Sequence, residues 1–324
     1  MDLVAAHDEP FTQPEPRSPV WVILNPKSTQ YARARREIPQ MCLAAGLGEP
    51  RIATTTLEQA GGPQAREALA SGARSVVVGG GDGTVREVAE ALSGSGVELG
   101  ILPLGTANLF ANNLGLRTRH LRAAIRRALR PGANPVDVGW ASWRPADPDG
   151  GVGPPSPERV FLVMAGVGHD AATVHDTRPE HKDRIGWLAY LAAGAIRLRA
   201  HPLAMRVSLD MTPARRIRTW TLIVANCGAI PAGVRVVDTA SPFDGMLDTL
   251  EVPIQSPLQW AQVAAKGVLH HTREVPALRY TRVRTVWAVP DEPTPLHLDG
   301  DVVGVVADLR VRVQAGALLV RRGR

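Results

Sequence analysis

Cysteine and lysine are scarce in this sequence, and long apolar runs are missing. Cys42 and Cys227 are the only cysteines in 324 residues, which provides neither a disulfide framework nor the spacing of a zinc site and favours a reducing compartment. No apolar run reaches the roughly 18 residues that a membrane-spanning helix needs. Residues 1–18 lack the basic start and apolar core of a secretory signal. We expect a cytoplasmic protein with a disordered lead-in over residues 1–18.

The positive charge of the chain is carried almost entirely by arginine. The formal net charge is +6, and lysine occurs only at Lys27, Lys182 and Lys266. A basic chain is attracted to anionic lipid or to nucleic acid, whereas an arginine bias also follows from codon composition alone. We expect no nucleic-acid partner. Peripheral contact with the inner face of a membrane and a bias without function both stay open.

The first half of the chain alternates strand-like and helix-like segments. Short apolar runs that stop at glycine, proline or asparagine predict buried strands, and apolar residues three or four apart predict helices. The predicted strands are Val20–Leu24, Arg51–Thr55, Ser75–Val78 and Leu99–Leu102. The predicted helices are Tyr31–Ala45, Pro63–Ala70, Val85–Leu92, Thr106–Leu114 and Leu121–Leu129. The alternation indicates a parallel sheet covered on both faces.

The second half consists mostly of strand-like segments after a loop at Asp147–Pro157. The predicted strands are Val136–Gly139, Val160–Val163, Ala204–Asp210, Thr219–Val224, Met246–Val252, Thr281–Val289 and Ala307–Val313, and the predicted helices are Trp187–Leu198 and Leu258–Leu269. We therefore predict two domains, an N-terminal α/β domain with a parallel sheet over residues 19–138 and a mostly antiparallel β-rich domain over residues 139–304. The C-terminal strands, in residues 305–324, either stay with the second domain or return to the first.

A glycine-rich segment, Gly79–Thr84, separates the third predicted strand from its helix. Glycines let a backbone approach phosphate and direct N–H groups at it, and a helix N-terminus adds positive potential. A carboxylate repels phosphate, so the role that fits Asp82 is to act through Mg²⁺ or its water ligands. Thr84 and Glu87 have the spacing of a capping box, and a plain glycine turn before a capped helix is the structural alternative.

Two further loops follow predicted strands, at Asn25–Thr29 and Pro103–Asn108. In a parallel sheet these loops and Gly79–Thr84 would meet at the carboxyl edge, where α/β proteins bind ligands. Each of the two outer loops, taken alone, is equally well read as an ordinary turn. Neither a dinucleotide fingerprint nor a Gly-Lys-Ser/Thr phosphate loop is present.

These segments resemble the diacylglycerol kinase catalytic-domain family of lipid kinases, which is related to the sphingosine kinases, and the bacterial branch most closely. The similarity extends from Val20 to Arg324. Its strongest marks are Gly80–Thr84 with Glu87, and Pro103–Asn108, and its fainter marks are Phe161–Asp170, Trp187–Tyr190, Asp244–Gly245 and Leu298–Asp301. The glycine-aspartate loop is shared with NAD kinases and phosphofructokinases, whereas the later marks favour the lipid kinases.

The resemblance implies a kinase that uses ATP and Mg²⁺ to phosphorylate a lipid hydroxyl, on a diacylglycerol-like or related amphipathic alcohol in phospholipid biosynthesis. It makes the first domain nucleotide-binding and the second lipid-binding. The implied nucleotide contacts are Asn25, Pro26, Lys27, Ser28, Thr29, Thr56, Gly80, Gly81, Asp82, Gly83, Thr84, Glu87, Gly105, Thr106 and Asn108. The implied metal ligands are Asp82 and Asp137 for the nucleotide's Mg²⁺, and Ser241, Asp244 and Met246 for a structural Mg²⁺. A strand-end aspartate at Asp137 and an Asp-Gly turn at Asp244 are the structural alternatives.

The late motif, Leu298–Asp301, supplies the implied proton acceptor. The resemblance assigns that role to Asp301, where the family usually has glutamate, with Asp299 and Asp82 as the other catalytic carboxylates. A solvated hairpin turn is the structural alternative for the motif, and His297 is an alternative base. Leu109 stands where the family often has aspartate, which weakens one arm of the metal network.

The substrate site and two rival functions stay open. Ala165–Val167 and Trp187–Tyr190 are either walls of a lipid cleft or plain core. An arginine-rich segment either meets anionic headgroups or is a solvated helix face, and its arginines are Arg117, Arg119, Arg122, Arg126, Arg127 and Arg130. The rival functions are an NAD or sugar kinase and a weakly active nucleotide-binding regulator. Whether the protein is a monomer or a homodimer is also open.

Overall fold

The structure is a computed structural model that describes residues 19–116, 118, 120–147, 151–171, 201–230, 235–253 and 278–323. The predicted lead-in, the helices predicted at Trp187–Leu198 and Leu258–Leu269, and two arginines, Arg117 and Arg119, lie outside these residues. The described part contains five helices and fifteen strands. None of its helices has the length and apolar character needed to cross a bilayer.

The first half alternates strands and helices, as predicted. The strands are β1 (Trp21–Leu24), β2 (Arg51–Thr54), β3 (Ser75–Gly80) and β4 (Glu98–Pro103). The helices are α1 (Tyr31–Ala44), α2 (Gly62–Ala70), α3 (Asp82–Leu92), α4 (Leu109–Asn113) and α5 (Leu121–Leu129). The strands pair in parallel in the order β4-β3-β1-β2. Buried side chains of α1 and α5 pack on one face of this sheet and those of α2 and α3 on the other, so both faces are covered.

The second half is mostly antiparallel, which confirms the predicted fold class. Its strands are β5 (Ala133–Pro145), β6 (Arg159–Phe161), β7 (Met164–Gly168), β8 (Leu203–Leu209), β9 (Arg215–Thr219), β10 (Thr221–Ala225), β11 (Leu247–Glu251), β12 (Arg279–Val283), β13 (Thr285–Pro290), β14 (Thr294–Leu298) and β15 (Asp301–Arg321). The side chains that alternate inward from these strands form an aliphatic core of their own. Ala165 and Val167, proposed as cleft walls, lie in that core, where β7 is paired on both sides with β14 and β10.

The strand predicted at Thr281–Val289 is in fact two strands. It breaks at Arg284, whose backbone N–H donates to the Asp210 carboxylate at 2.7 Å. Before the break β12 pairs with β11, and after it β13 pairs with β8 and β15. Two strands carry residues that argue against strands in a sequence, and were missed: β9 is mostly arginine, and β14 contains Pro295.

The last strand joins the two halves of the molecule. β15 pairs antiparallel with β14, β13 and β5, and its end pairs in parallel with β4 through Leu319 and Val320. The buried guanidinium of Arg321 secures this end: it donates to Glu98 at 2.7 Å and to the carbonyls of Ala128 and Leu129 at 3.1 and 3.2 Å. The domain boundaries remain predictions.

We expect Arg321→Met to lower the free energy of unfolding by about 2–4 kcal/mol, because removing one partner of a buried ion pair leaves the other partners unsatisfied. Urea denaturation measures the change. Arg312→Met is the matched control, since Arg312 and its partner Glu158 are both largely exposed and such pairs contribute about 1 kcal/mol or less. An equal loss in the two variants would contradict the role given to Arg321.

Candidate active site

The glycine-rich loop at Gly79–Thr84, called the phosphate loop below, is shorter than predicted. α3 begins at Asp82 with Gly81 as its N-cap, and no side chain caps it. The capping box predicted from Thr84 and Glu87 is therefore wrong, because Thr84 already lies in the first helical turn. The Thr84 hydroxyl accepts a hydrogen bond from the Asn25 amide at 3.1 Å, and the Glu87 carboxylate pairs with Arg159.

The loop at Pro103–Asn108 packs against the glycine-rich loop through a contact between Gly105 and Gly81. A Cβ atom added to Gly105 would collide with the backbone of Gly81. The Leu104 N–H donates to the Gly80 carbonyl at 3.1 Å. Asn108 closes the loop with its own side chain, which accepts from the N–H of Gly105 at 2.9 Å and donates to its carbonyl at 2.6 Å. Asn108 adopts a left-handed φ of 46°, so α4 begins only at Leu109 rather than at Thr106 as predicted.

The loop at Asn25–Thr29 contacts the glycine-rich loop through Asn25. Its backbone N–H donates to the Gly79 carbonyl at 2.8 Å, and its side chain accepts from the N–H of Lys27 at 2.9 Å while holding Thr84. The exposed members of the two outer loops include Pro26, Lys27, Thr29 and Thr106. Ser28 is half-buried. Thr56 follows β2 and makes a local turn with Glu58 and Gln59.

Asp82 is largely buried where the first two loops meet. Burial, with a smaller contribution from the charge of Asp299, raises the pKa of this carboxyl from 3.8 to about 6, although backbone N–H groups from Asn108 to Phe110 oppose the rise. The N–H of Phe110 lies 3.3 Å from one carboxylate oxygen. Leu109 therefore contributes its backbone to the Asp82 site, although its side chain carries no carboxylate.

Asp299 is an acceptor for backbone amides. Its two carboxylate oxygens accept from the N–H groups of Leu162, Val163 and Met164 at 2.8–3.0 Å. Its left-handed φ of 52° turns the chain between β14 and β15. Burial nevertheless raises the pKa of this carboxyl, and the positive charge of Arg86 opposes the rise.

Asp301 lies at the phosphate loop. Its side chain is 56% exposed, and its Oδ2 is 3.9 Å from the position a Cβ on Gly83 would take. Arg86 of α3 holds it, with a guanidinium nitrogen 3.0 Å from the same oxygen. No sequence motif pointed to Arg86. The available signal was its position one helical turn after Asp82, which places the two residues on the same face of α3.

The surroundings of His297 favour a structural role over the alternative role of a base. It is almost completely buried, with Nε2 at 2.9 Å from the Asp170 carboxylate and Nδ1 accepting from the N–H of Gly300 at 3.3 Å. Asp170 also accepts from the Thr221 hydroxyl at 2.6 Å. The histidine thus supports the turn that carries Asp299 and Asp301.

Two of the remaining predicted metal ligands, Asp137 and Asp244, have hydrogen-bond partners of their own. Asp137 is buried and accepts from the N–H groups of Gly245 and Gly316, both at 2.7 Å. Asp244 accepts from the N–H of Met246 at 3.1 Å and from Arg282 at 2.6 Å. Among the described residues no three side chains of histidine, cysteine, aspartate or glutamate form a group that could hold a metal ion.

Family models match most of the chain. The diacylglycerol kinase catalytic domain matches residues 19–141, and the YegS C-terminal NAD kinase beta sandwich-like domain matches residues 162–322. A Pseudomonas aeruginosa protein named "Probable lipid kinase YegS-like" is 32% identical over 259 residues, which are 78% of each chain. This chain belongs to the diacylglycerol kinase catalytic-domain family. A family member of the same name from Chromohalobacter salexigens is 29% identical over 87% of this chain and 86% of its own.

Solved structures share the fold of this protein. The crystal structure of a diacylglycerol kinase from Bacillus anthracis superposes with a TM-score of 0.68 and 19% identity, covering 94% of this chain and 96% of that one. Yeast NADH kinase in complex with NADH gives a TM-score of 0.50 and 9% identity over 94% and 80%. At these identities the likeness concerns the fold alone.

We expect Asp82→Asn to make the metal-free protein more stable at neutral pH. Because the folded-state pKa is raised, the native state binds more protons than the unfolded state between about pH 4 and 6, so stability is lost as pH rises through that window. A rise of about two units corresponds to about 3 kcal/mol, which partial exposure to solvent reduces to about 1–2 kcal/mol. Urea denaturation in EDTA should show that gain at pH 8 and none at pH 4. A pH-independent difference would contradict the assignment.

Proposed function

We propose that this protein transfers the γ-phosphoryl group of ATP to the hydroxyl group of a membrane lipid. The observation that carries the proposal is the placement of Asp301, an exposed carboxylate beside Gly83 of the phosphate loop. Phosphorylation of an alcohol needs an acceptor for the hydroxyl proton next to the phosphate, and this arrangement supplies one. The substrate class rests on the relatives, which carry the name of lipid kinases.

The residues fit a nucleotide phosphate. The first N–H groups of a helix have no partner within it, and α3 has no side-chain cap to occupy them. A Cβ on Gly81 or Gly83 would lie in van der Waals contact with its neighbours, at 3.6 and 3.9 Å, so a side chain at either position would fill space beside this helix end that glycine leaves to a ligand. We propose that the backbone of Gly80–Thr84 holds the phosphates. The implied contacts of the Asn25 and Gly105 loops, and that of Thr56, extend the same site.

The residues also fit a Mg²⁺ ion that arrives with the nucleotide. Magnesium in such sites takes one or two carboxylates and completes its shell with water and phosphate oxygens, so no preformed cage of side chains is needed. Asp82 is the proposed carboxylate, because it is the first residue of α3, at the helix end that would hold the phosphates. Both oxygens of Asp137 accept backbone N–H groups, so its role in the network is the weaker prediction. The ion would neutralise charge on the phosphates during transfer.

The structural Mg²⁺ implied near Ser241, Asp244 and Met246 fits less well. Both oxygens of Asp244 already have partners, one of them the positive Arg282. The neighbouring Asp248 has a buried Oδ2 without a hydrogen-bond partner, which is the one feature that favours a cation there. This second site stays a prediction, and no step of the reaction depends on it.

The side chains divide the work of the transfer. The loop backbone fixes the phosphate, and Asp301 accepts the proton as the hydroxyl oxygen attacks. Phosphoryl transfer has a loose transition state, so positioning and charge neutralisation contribute more than the base does. Asp299 stabilises the turn and does not accept the proton, since its two oxygens accept hydrogen bonds from three backbone amides.

One experiment tests the function directly. The protein is incubated with γ-labelled ATP, Mg²⁺ and a whole-lipid extract in mixed micelles, and the labelled products are separated and identified. We expect label in a phospholipid whose parent is an alcohol. In a parallel detergent-free reaction that offers NAD or a sugar as the acceptor, label in that acceptor would support the rival kinases. ATP binding without transfer to any acceptor would support the regulator.

We expect Asp301→Asn to lower turnover by about 10²-fold or more, because general-base assistance contributes about 10²–10⁴-fold. Its melting temperature should stay unchanged, because the side chain is exposed. Asp299→Asn should lower turnover less but should lower the melting temperature, because an amide NH₂ would face backbone donors. ATP affinity should change little in either variant. The reverse pattern would exchange the two roles.

Vesicles that contain anionic lipid should raise the activity, and salt should reverse the effect. Arg122, Arg126 and Arg130 are exposed four residues apart on one side of α5, whereas Arg127 turns inward to the Leu116 carbonyl. Replacing the exposed three by glutamine should weaken vesicle binding by up to about 10²-fold, at about 1 kcal/mol for each arginine.

The matched control for the vesicle experiment removes the same charge elsewhere. It is the triple glutamine variant of Arg144, Arg218 and Arg310, which are exposed on the β-rich half. Sedimentation with neutral and anionic vesicles over a salt series measures binding. Equal losses in the two triple variants would show that net charge, rather than α5, attracts the membrane.

A further inference from the structure

Arg86 connects the phosphate-loop helix to the hairpin of the proposed proton acceptor. Its side chain is only 12% exposed. One guanidinium nitrogen donates to the Leu298 carbonyl at 2.8 Å, and the other lies 3.0 Å from the Asp301 carboxylate. A planar guanidinium makes two such contacts in one fixed geometry, which a lysine ammonium does not. The two loops are therefore held at a set separation by one side chain.

Arg86 also lies among negative groups. It pairs with Asp301, its charge acts on buried Asp299, and Asp299 in turn acts on Asp82. Three carboxylates in one region repel one another and repel phosphate. A buried cation at this point reduces that repulsion while the site is formed, and its hydrogen bond to a backbone carbonyl keeps it in place.

The length of Asp301 makes the grip of Arg86 important. Aspartate is one methylene shorter than glutamate, so its carboxylate stays close to its own backbone. Its neighbours fix that backbone: Asp299 accepts from three amides of the β6–β7 turn, and Gly300 donates to His297. With the backbone fixed, the remaining freedom is the side-chain rotamer of an exposed residue. Arg86 selects the rotamer that places Oδ2 beside Gly83.

We propose that Arg86 is a positioning residue, which holds the Asp301 carboxylate at the phosphate loop for phosphoryl transfer. The proposal rests on the proposed kinase function. It predicts that Arg86 acts through Asp301 and does not bind the nucleotide. An arginine that contacted phosphate would change the affinity for ATP, whereas a positioning arginine changes turnover alone.

The experiment is a double-mutant cycle on the full chain. Arg86→Met should lower kcat by about 10–100-fold, with the Kd for a non-hydrolysable ATP analogue unchanged by calorimetry. Combined with Asp301→Asn, it should lower kcat no further than Asp301→Asn alone, since both act through one carboxylate. Multiplicative losses, or a weaker ATP analogue affinity, would overturn the proposal. Arg312→Met, which breaks an exposed ion pair on β15, is the control and should keep wild-type kcat.

A rescue variant separates positioning from folding. In the Arg86→Met background, Asp301→Glu should raise kcat several-fold, because a longer side chain reaches the loop without being held. A structural defect would not respond to that change, so absence of rescue would overturn the proposal. If Arg86→Met does not fold, Arg86→Lys takes its place in the same cycle. It keeps the charge but loses the two-point contact.

The test also distinguishes failure of the kinase function. Wild-type transfer to lipid reports on the proposed function, and the ratios between variants report on Arg86. If the wild type labels no lipid, its slow hydrolysis of ATP is compared across the same variants, with water in place of the alcohol. A wild-type protein that transfers phosphate from ATP to neither lipid nor water would overturn both proposals.

Discussion

The contact between Gly81 and Gly105 is the constraint on which the site depends. Because a Cβ on Gly105 would collide with Gly81, the loops after β3 and β4 approach to a distance that requires glycine at position 105. That approach brings the first turn of α4 over the side chain of Asp82. It also leaves the N-terminus of α3 without a side-chain cap. The uncapped helix end and the surroundings of Asp82 thus arise from the same backbone packing.

The site gathers charge that the protein alone does not balance. Burial makes ionisation of Asp82 unfavourable, and Asp299 adds to the effect from across the loop. Backbone amides from the start of α4 offset part of this energy at Asp82, and the guanidinium of Arg86 offsets part of it at Asp299. The remainder is what a bound cation would relieve, so the proposed Mg²⁺ binding and the predicted instability without the ion would have one cause. Residues that serve function in this way commonly lower the stability of the free protein.

The sequence predicted the alternation of the first half, with bounds that differ from the observed ones by at most three residues, because its buried strands and amphipathic helices have distinct periods. It also located the three loops, since parallel strands end at one edge. The second half was harder: β9 is charged and β14 contains proline, and tertiary pairing overrides such local signals. The capping box failed because Thr84 and Glu87 have the right spacing but find partners outside their helix, in Asn25 and Arg159.

Motif identity indicated which acids matter but not what each one does. Asp299 and Asp301 are separated by one residue, yet the first faces three backbone amides and the second faces solvent and Arg86. A left-handed turn at Asp299 and Gly300 causes the difference, because it sends the two side chains to opposite sides. No pattern of residue types shows which partner a carboxylate will meet across 212 residues of chain, as Arg86 meets the hairpin at Leu298.

Strand β15 explains why the separation between the two parts of the site is stable. It begins at Asp301, beside the phosphate loop, and ends in parallel pairing with β4, the strand that leads into the second loop. The proposed proton acceptor and one of the loops proposed to bind phosphate are therefore attached to strands that pair in one sheet. Arg321 secures the far end of β15 and Arg86 the near end. Because β15 also pairs with β14, β13 and β5 along its length, relative movement of its two ends would require breaking backbone hydrogen bonds.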